Sequence, residues 1–366
     1  MCGLFLLPRT PRRAQSATPA AGRPTLMHFM PSHTSTIRLA RFVTVALAAV
    51  VALPGSSPAT PASARAASPF LSAPLYVDPY SNASRQADQW RQTRPADAAI
   101  MDKIAAQPQA TWFGDWGGPV RADVAAHVAA AQAAGTMPVL VAYDIPRRDC
   151  SGHSSGGARS PAAYRRWIRD FAAALGQARA AVVVEPDAVA GLDCLTRANQ
   201  RTRLRLLNRA VSSLSSDKQA AIYIDAGNQA WQPARTIAAR LKAAGVGRAR
   251  GFSLNVSNFD TTASEIAYGK AISTRIGRKH GRKSTLKTFV VDTSRNGVGP
   301  TKHRQWCNPP GRALGAVPSA RTGESRVDAF LWIKPPGESD GKCNGGPAAG
   351  AWWPEYALSL ARRAAW

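Results

Sequence analysis

Cysteine is scarce in this chain, five in 366 residues, and no two stand as C-x-x-C. A disulfide miniprotein is thereby excluded, and a zinc site of that type is not expected. Beyond about residue 60 there is no run of about 20 uninterrupted apolar residues, so the body of the chain is expected to be soluble and not membrane-spanning. Acidic residues are few, 22 against 47 Lys and Arg, for a formal charge of +25. Hydrophobic residues nevertheless make up 45% and charged residues 19%, which excludes a disordered, collagen-like or coiled-coil chain. The length allows one large α/β domain or two ordinary ones. No internal repeat and no Pro/Ser/Thr-rich linker interrupts 67–366, so a single domain is the economical expectation.

Residues 1–66 read as a targeting segment. Arg38 and Arg41 precede an apolar run from Phe42 to Leu53, Pro54-Gly55 breaks it, and Ala62-Ser63-Ala64 offers a small-residue cleavage site. An uncleaved anchor is the alternative, and Met27 or Met30 is a more natural start than Met1. The expectation is a secreted domain of 67–366 with no stable membrane insertion. The leader holds seven Arg and no acid, which leaves +18 of the +25 on the remainder. Those cations are spread through Ala-rich helical patterns without interleaved aromatics, so compositional bias is favoured over a dedicated anionic partner, and no nucleic acid is expected. Of the cysteines, Cys2 lies in the leader. Cys150, Cys194, Cys307 and Cys343 remain, an even number that suits an oxidising compartment and leaves three pairings open.

Short β-type runs recur at 74–77, 111–113, 138–143, 181–184, 221–224, 251–256, 288–291 and 329–333, several continuously apolar as in strands buried on both faces. Amphipathic helical patterns lie between them, as at 120–134, 161–175, 197–213 and 233–244. This alternation predicts a parallel β/α fold, and the number of units suggests a distorted TIM-like barrel in one catalytic domain. A doubly wound open sheet is the alternative, but its G-x-G-x-x-G fingerprint is missing.

Strand after strand ends in a carboxylate: Asp78, Asp187, Asp225 and Asp292, with Asp149, Glu338 and Asp340 in loops leaving other strands. One such Asp usually just caps the next helix. Five or more around one barrel rim repel one another and imply use. Clustered carboxylates without a His/Cys metal set suit glycoside hydrolysis, because crowding raises one pKa and supplies the proton donor. Trp231, Trp306 and Tyr76 are placed where sugar rings could stack, whereas Trp332 reads as core. Gly152 to Gly156 fits G-x-S-x-G around Ser154, but it lies in a long Gly/Ser loop and not at a strand–helix turn, which argues against a serine hydrolase.

The segment from Val141 to Gly157 (VAYDIPRRDCSGHSSGG) resembles the first signature of glycoside hydrolase family 6, the inverting cellulases, and Val182 to Val189 (VVVEPDAV) resembles the second. Asp225-Ala-Gly-Asn-Gln-Ala-Trp231, Asp292 to Gly297, Trp306-Cys-Asn308 and Leu331 to Asp340 match in order, over about 72–364. The resemblance implies Asp187 as general acid, Asp149 as the carboxylate that raises its pKa and assists the water, Asp340 as the disputed base and Tyr143 beside the reacting sugar. It also implies Lys334 and Glu338 as sugar contacts, Trp231, Trp306 and Tyr76 as stacking platforms, and Asp225 as a structural and binding residue. Asn258 is counted with the substrate contacts. A β/α barrel and the pairings Cys150–Cys194 and Cys307–Cys343 follow from the same resemblance. One departure is Asn228, where the family usually has His. Only a dozen residues, Gly341 to Trp352, precede the final helix expected at 354–363, which favours an open cleft and internal cutting over a tunnel. The expected protein is a monomeric endo-β-1,4-glucanase acting on β-glucan without metal or cofactor. An exo-acting enzyme and a non-catalytic carbohydrate-binding protein are the alternatives.

Overall fold

The computed structural model describes residues 67–216, 219–279, 282–283 and 286–366, and the expected leader with its candidate start sites lies outside them. Seven strands form one parallel sheet in chain order: β1 (Thr111–Phe113), β2 (Val139–Ala142), β3 (Ala180–Val184), β4 (Ala220–Asp225), β5 (Gly251–Leu254), β8 (Thr288–Asp292) and β9 (Val327–Leu331). Between β5 and β8 a two-stranded hairpin intervenes, β6 (Arg278–Lys279) and β7 (Arg282–Lys283).

The apolar runs are explained by the two faces of this sheet. Val139, Val141, Ala181, Val183, Tyr223, Val290, Ala329 and Leu331 point into the barrel around Phe70 and Met137. Their alternates, Leu140, Ala142, Val182, Val184, Ile222, Ile224, Phe252, Phe289 and Val291, pack outward against helices. A period of two with both phases apolar is what burial on both faces demands. The outer layer includes α3 (Val120–Ala133), α4 (Pro161–Leu175), α5 (Arg197–Leu214), α6 (Ala234–Ala243) and α7 (Thr262–Gly277). Ser160 and Thr196 accept N–H bonds at the starts of α4 and α5, fixing where each begins.

The segment 74–77 is not a strand. It makes a single bridge, Leu75 with Met137, which Pro74, lacking an N–H, cannot extend toward its amino end. The sheet therefore curls without a ladder between β1 and β9. Ala110 N–H donates to the Trp332 carbonyl (2.9 Å) and the Trp112 indole to that of Ile333 (2.7 Å), joining the two edges at their ends. Against this seam pack α1 (Asn82–Trp90), α2 (Pro95–Ala105) and α8 (Pro354–Arg362), with Trp332 wholly buried among them.

Candidate active site

The loops leaving the carboxyl ends of the strands enclose a cleft of about 1170 Å³. Tyr143, Asp149, Asp187, Trp231, Asn258, Trp306, Lys334, Glu338 and Asp340 all line it. Tyr76 and Asp225 do not. Tyr76 turns edge-on to His127 (5.3 Å between centroids) and so sits outside the cleft. Asp225 lies entirely beneath the floor, with no accessible surface to offer a sugar. The aromatic surface includes two residues that the strand-end pattern did not single out, Tyr80 and Trp116, exposed by 72% and 55%, beside Trp231 (43%) and Trp306 (48%). Both stand on loops with no periodicity; large rings left exposed are their one signal.

Asp187 follows β3 with a left-handed backbone, φ 68°, a strained setting for a residue with a Cβ. It is held there because the Asp225 carboxylate accepts its N–H at 3.0 Å and that of Gly227 at 3.0 Å, while the Ser253 hydroxyl donates to the other oxygen at 3.1 Å. Desolvation, then the charges of Asp225, Asp149 and Asp340, push the Asp187 carboxyl well above the ordinary carboxylate range, against a weaker opposing pull from Arg203. Burial likewise lifts Asp225 to about 6. Glu185, two residues before Asp187, is fully buried and accepts the N–H groups of Asp144 (3.0 Å) and Ile145 (2.9 Å), so that β3 fastens the chain just after Tyr143.

Asp149 is also left-handed, φ 51°. Its carboxylate accepts the Ser154 N–H at 2.7 Å, and a Cβ on Gly152 would crowd that carboxylate and push it from this position. The preceding Arg148 is buried, over the Tyr143 and Trp116 rings (4.8 and 5.0 Å), and donates to Asp115 (2.8 Å), the Tyr143 carbonyl (2.9 Å) and the Ser154 carbonyl (2.8 Å). One guanidinium thus organises the loop carrying Asp149, Tyr143 and Trp116 together. Burial and the neighbouring carboxylates keep the Tyr143 phenol protonated. Ser154 serves in this loop, between the end of β2 and the start of α4, and no strand–helix elbow presents it.

On the opposite side, the fully buried Arg295 donates to Asp340 (2.9 Å), and the same oxygen accepts the Asn308 N–H (3.0 Å). Asp340 N–H returns a bond to the Asn308 side chain at 2.8 Å. Lys334 lies 3.9 Å from Glu338; burial lowers the lysine and raises the glutamate. Asn228 borders the cleft, and its side-chain oxygen accepts the Ala230 N–H at 3.0 Å, so it stabilises the turn leading to Trp231.

Two disulfides join these loops, Cys150–Cys194 and Cys307–Cys343. The first ties the Asp149 loop to the segment following Asp187, and the second ties the Trp306 loop to the one carrying Asp340. Among the described residues, His153, Cys307 and Cys343 bring three residues of metal-ligating type together. The two sulfurs are bonded to each other and offer no thiolate.

Fold and site together define a β/α-barrel protein with an open, acidic cleft lined by exposed rings, suited to acid–base work on an extended molecule. The Glycosyl hydrolases family 6 profile matches residues 70–364, and the chain belongs to that family. It is 46% identical over 295 residues to Endoglucanase A of Cellulomonas fimi, covering 80% of this chain and 62% of that protein. To Endoglucanase 1 of Streptomyces halstedii it is 41% identical over 331 residues, covering 88% and 99% respectively. The solved endoglucanase Cel6 of Mycobacterium tuberculosis, in complex with a thio-linked cellobioside, superposes with a TM-score of 0.75 at 46% identity, over 81% of this chain and 99% of that one.

Proposed function

We propose that the protein is a secreted, inverting endo-β-1,4-glucanase that cuts internal bonds of cellulose or a related β-glucan, with Asp187 as general acid. The observation that carries the reading is the environment of Asp187: a carboxyl on the cleft floor, kept protonated by desolvation and by Asp225 and Asp149. Protonated, it delivers its hydrogen to the glycosidic oxygen as the C1–O bond breaks. A water attacks C1 from the opposite face and loses its proton to a carboxylate across the cleft. Asp149 fits that task, directly or through a second water. Asp340, with one oxygen held by Arg295 and Asn308, is better suited to fixing charge and orienting water than to receiving the proton. Tyr143 stands beside the reacting ring, Trp231 and Trp306 carry sugar faces, and Lys334, Glu338 and Asn258 bind hydroxyls.

Internal cutting is supported by the short Gly341–Trp352 connection and by the endoglucanase names of the relatives. Export with removal of 1–66 belongs to the same proposal, because two disulfides suit an oxidising compartment. The test is hydrolysis of carboxymethyl-cellulose with viscosity and reducing ends followed together, and product anomers read by NMR. A steep early fall in viscosity and an α-anomer product are expected. Release of cellobiose with viscosity nearly constant, or a β-anomer product, refutes the proposal.

A further inference from the structure

We infer that the outward face of α5 is a docking strip for an acidic polysaccharide bearing uronate carboxylates. The inference rests on the glucanase reading above and adds to it a second, charge-based hold on the substrate's surroundings.

Helix α5 carries Arg197, Arg201, Arg205 and Arg209, each four residues and about 6 Å along the axis from the last. All four are exposed. None forms an ion pair among the described residues, and the one side-chain contact recorded is from Arg205 to the Thr202 hydroxyl, 3.0 Å. Neither the 18 residues of α5 nor the 10 of α6 include an acid. Like charges at this spacing repel, costing each pair about 0.2–0.5 kcal/mol. The surface beside them is concave: Arg201, Leu204, Arg205 and Asn208 face Ala243 of α6 across a groove of about 340 Å³.

Arg203, on the same helix, shows what the fold does with an arginine it needs. It is buried and donates to the Pro146 carbonyl at 3.1 Å, under the cleft. The exposed four have no such employment, and their regular rise matches a linear partner with repeating negative charges. Helix α5 has no aromatic residue on which bases could stack, which disfavours single-stranded nucleic acid, and its outward face is too polar to enter a bilayer. Planar guanidinium groups pair well with carboxylates. The cleft binds uncharged sugar rings, so an anchor on a mixed polysaccharide solid has to use the charged component. Arg197 lies three residues after Cys194, so the strip starts at the cleft's flank and leaves its mouth open.

The test compares the wild-type protein with two fourfold Arg→Gln variants of equal charge, one at 197, 201, 205 and 209, the other at exposed Arg121, Arg179, Arg275 and Arg363. Binding to immobilised polygalacturonate is measured at 50 and 300 mM salt, beside fully methyl-esterified polymer and polyphosphate. Expected are salt-sensitive binding by the wild type, a loss of about thirtyfold in the α5 variant from four exposed pairs, and near wild-type binding in the other. Equal losses in both variants, equal binding to the esterified polymer, or no binding at 50 mM overturns the strip. Tighter binding to polyphosphate than to polygalacturonate overturns the uronate partner. Hydrolysis of soluble mixed-linkage glucan, followed in the same three preparations, reports on the proposed activity separately.

Discussion

The Asp225 carboxylate receives the backbone N–H of Asp187 at 3.0 Å, so a buried acid both props up the proposed proton donor and raises its proton affinity. These two effects can be separated. In Asp225→Asn the amide oxygen still accepts the N–H while the charge is gone. The Asp187 carboxyl then ionises at lower pH, and because the donor must be protonated, activity is lost earlier as pH rises. The alkaline limb of the pH–kcat profile is expected to move down, by about one pH unit for each 1.4 kcal/mol of lost repulsion. An unmoved limb, with kcat lowered uniformly, reduces Asp225 to a structural prop.

Asp187→Asn removes the donor and keeps its shape. Loss of general-acid assistance is expected to lower kcat on unactivated β-glucan by about 10²–10⁴-fold, with KM little changed because Trp231 and Trp306 still hold the chain. An aryl cellobioside with a good leaving group needs less help from the acid and is expected to lose far less. Equal losses on both substrates argue against proton donation to the leaving oxygen.

Each disulfide joins two loops of the cleft, so reduction acts on function as well as stability. The closed segments span 44 and 36 residues, for which loop-closure entropy gives about 4 kcal/mol each. The double variant Cys150→Ser/Cys194→Ser is expected to lower Tm and also kcat, since it frees the Asp149 loop relative to the segment after Asp187. Cys307→Ser/Cys343→Ser frees the Trp306 stacking ring together with the Asp340 loop, and is expected to raise KM as well as lower kcat. The same kinetic signature in both pairs contradicts this division.

The barrel was legible because both phases of its strands are apolar, a pattern open surface strands do not show, and the strand-end carboxylates followed from that parallel topology. Where local pattern conflicted with backbone pairing the expectation failed: 74–77 has strand-like side chains but makes one bridge only, which Pro74 cannot extend toward its amino end. Asp225 illustrates a different gap. It closes β4 itself, level with Glu185 in the strand register, while Asp187 lies three residues beyond β3, and hydrogen bonds from Gly227 and Ser253 fix the Asp225 side chain under the floor. Tyr80, Trp116 and the structural use of Arg148 and Arg203 depend on contacts between distant loops. The one signal of Arg203 in sequence is its helical spacing, three and four residues before Leu206 and Leu207, which sets it apart from Arg201 and Arg205.

Glu265 gives a stability prediction with a definite sign. It is fully buried; one oxygen accepts the Gln229 N–H at 2.9 Å, and the other has no hydrogen-bond partner. Burial, reinforced by the charges of Asp260 and Asp225, raises its pKa to about 8. The folded protein therefore holds a proton that the unfolded chain releases near pH 4–5, and this group's contribution to stability declines as pH rises from there through about 8. Buried Lys334 and half-buried Lys287, whose pKa values are lowered, drive stability the other way over part of the range, so the comparison must be between two proteins. Glu265→Gln keeps the acceptor for Gln229 and cannot ionise. Its Tm is expected to match wild type at pH 5 and to exceed it at pH 9, by about 2–4 °C for each kcal/mol of ionisation penalty removed. Calorimetry at the two pH values decides it: a constant Tm difference, or one that shrinks with rising pH, means that Glu265 is already ionised in the folded protein.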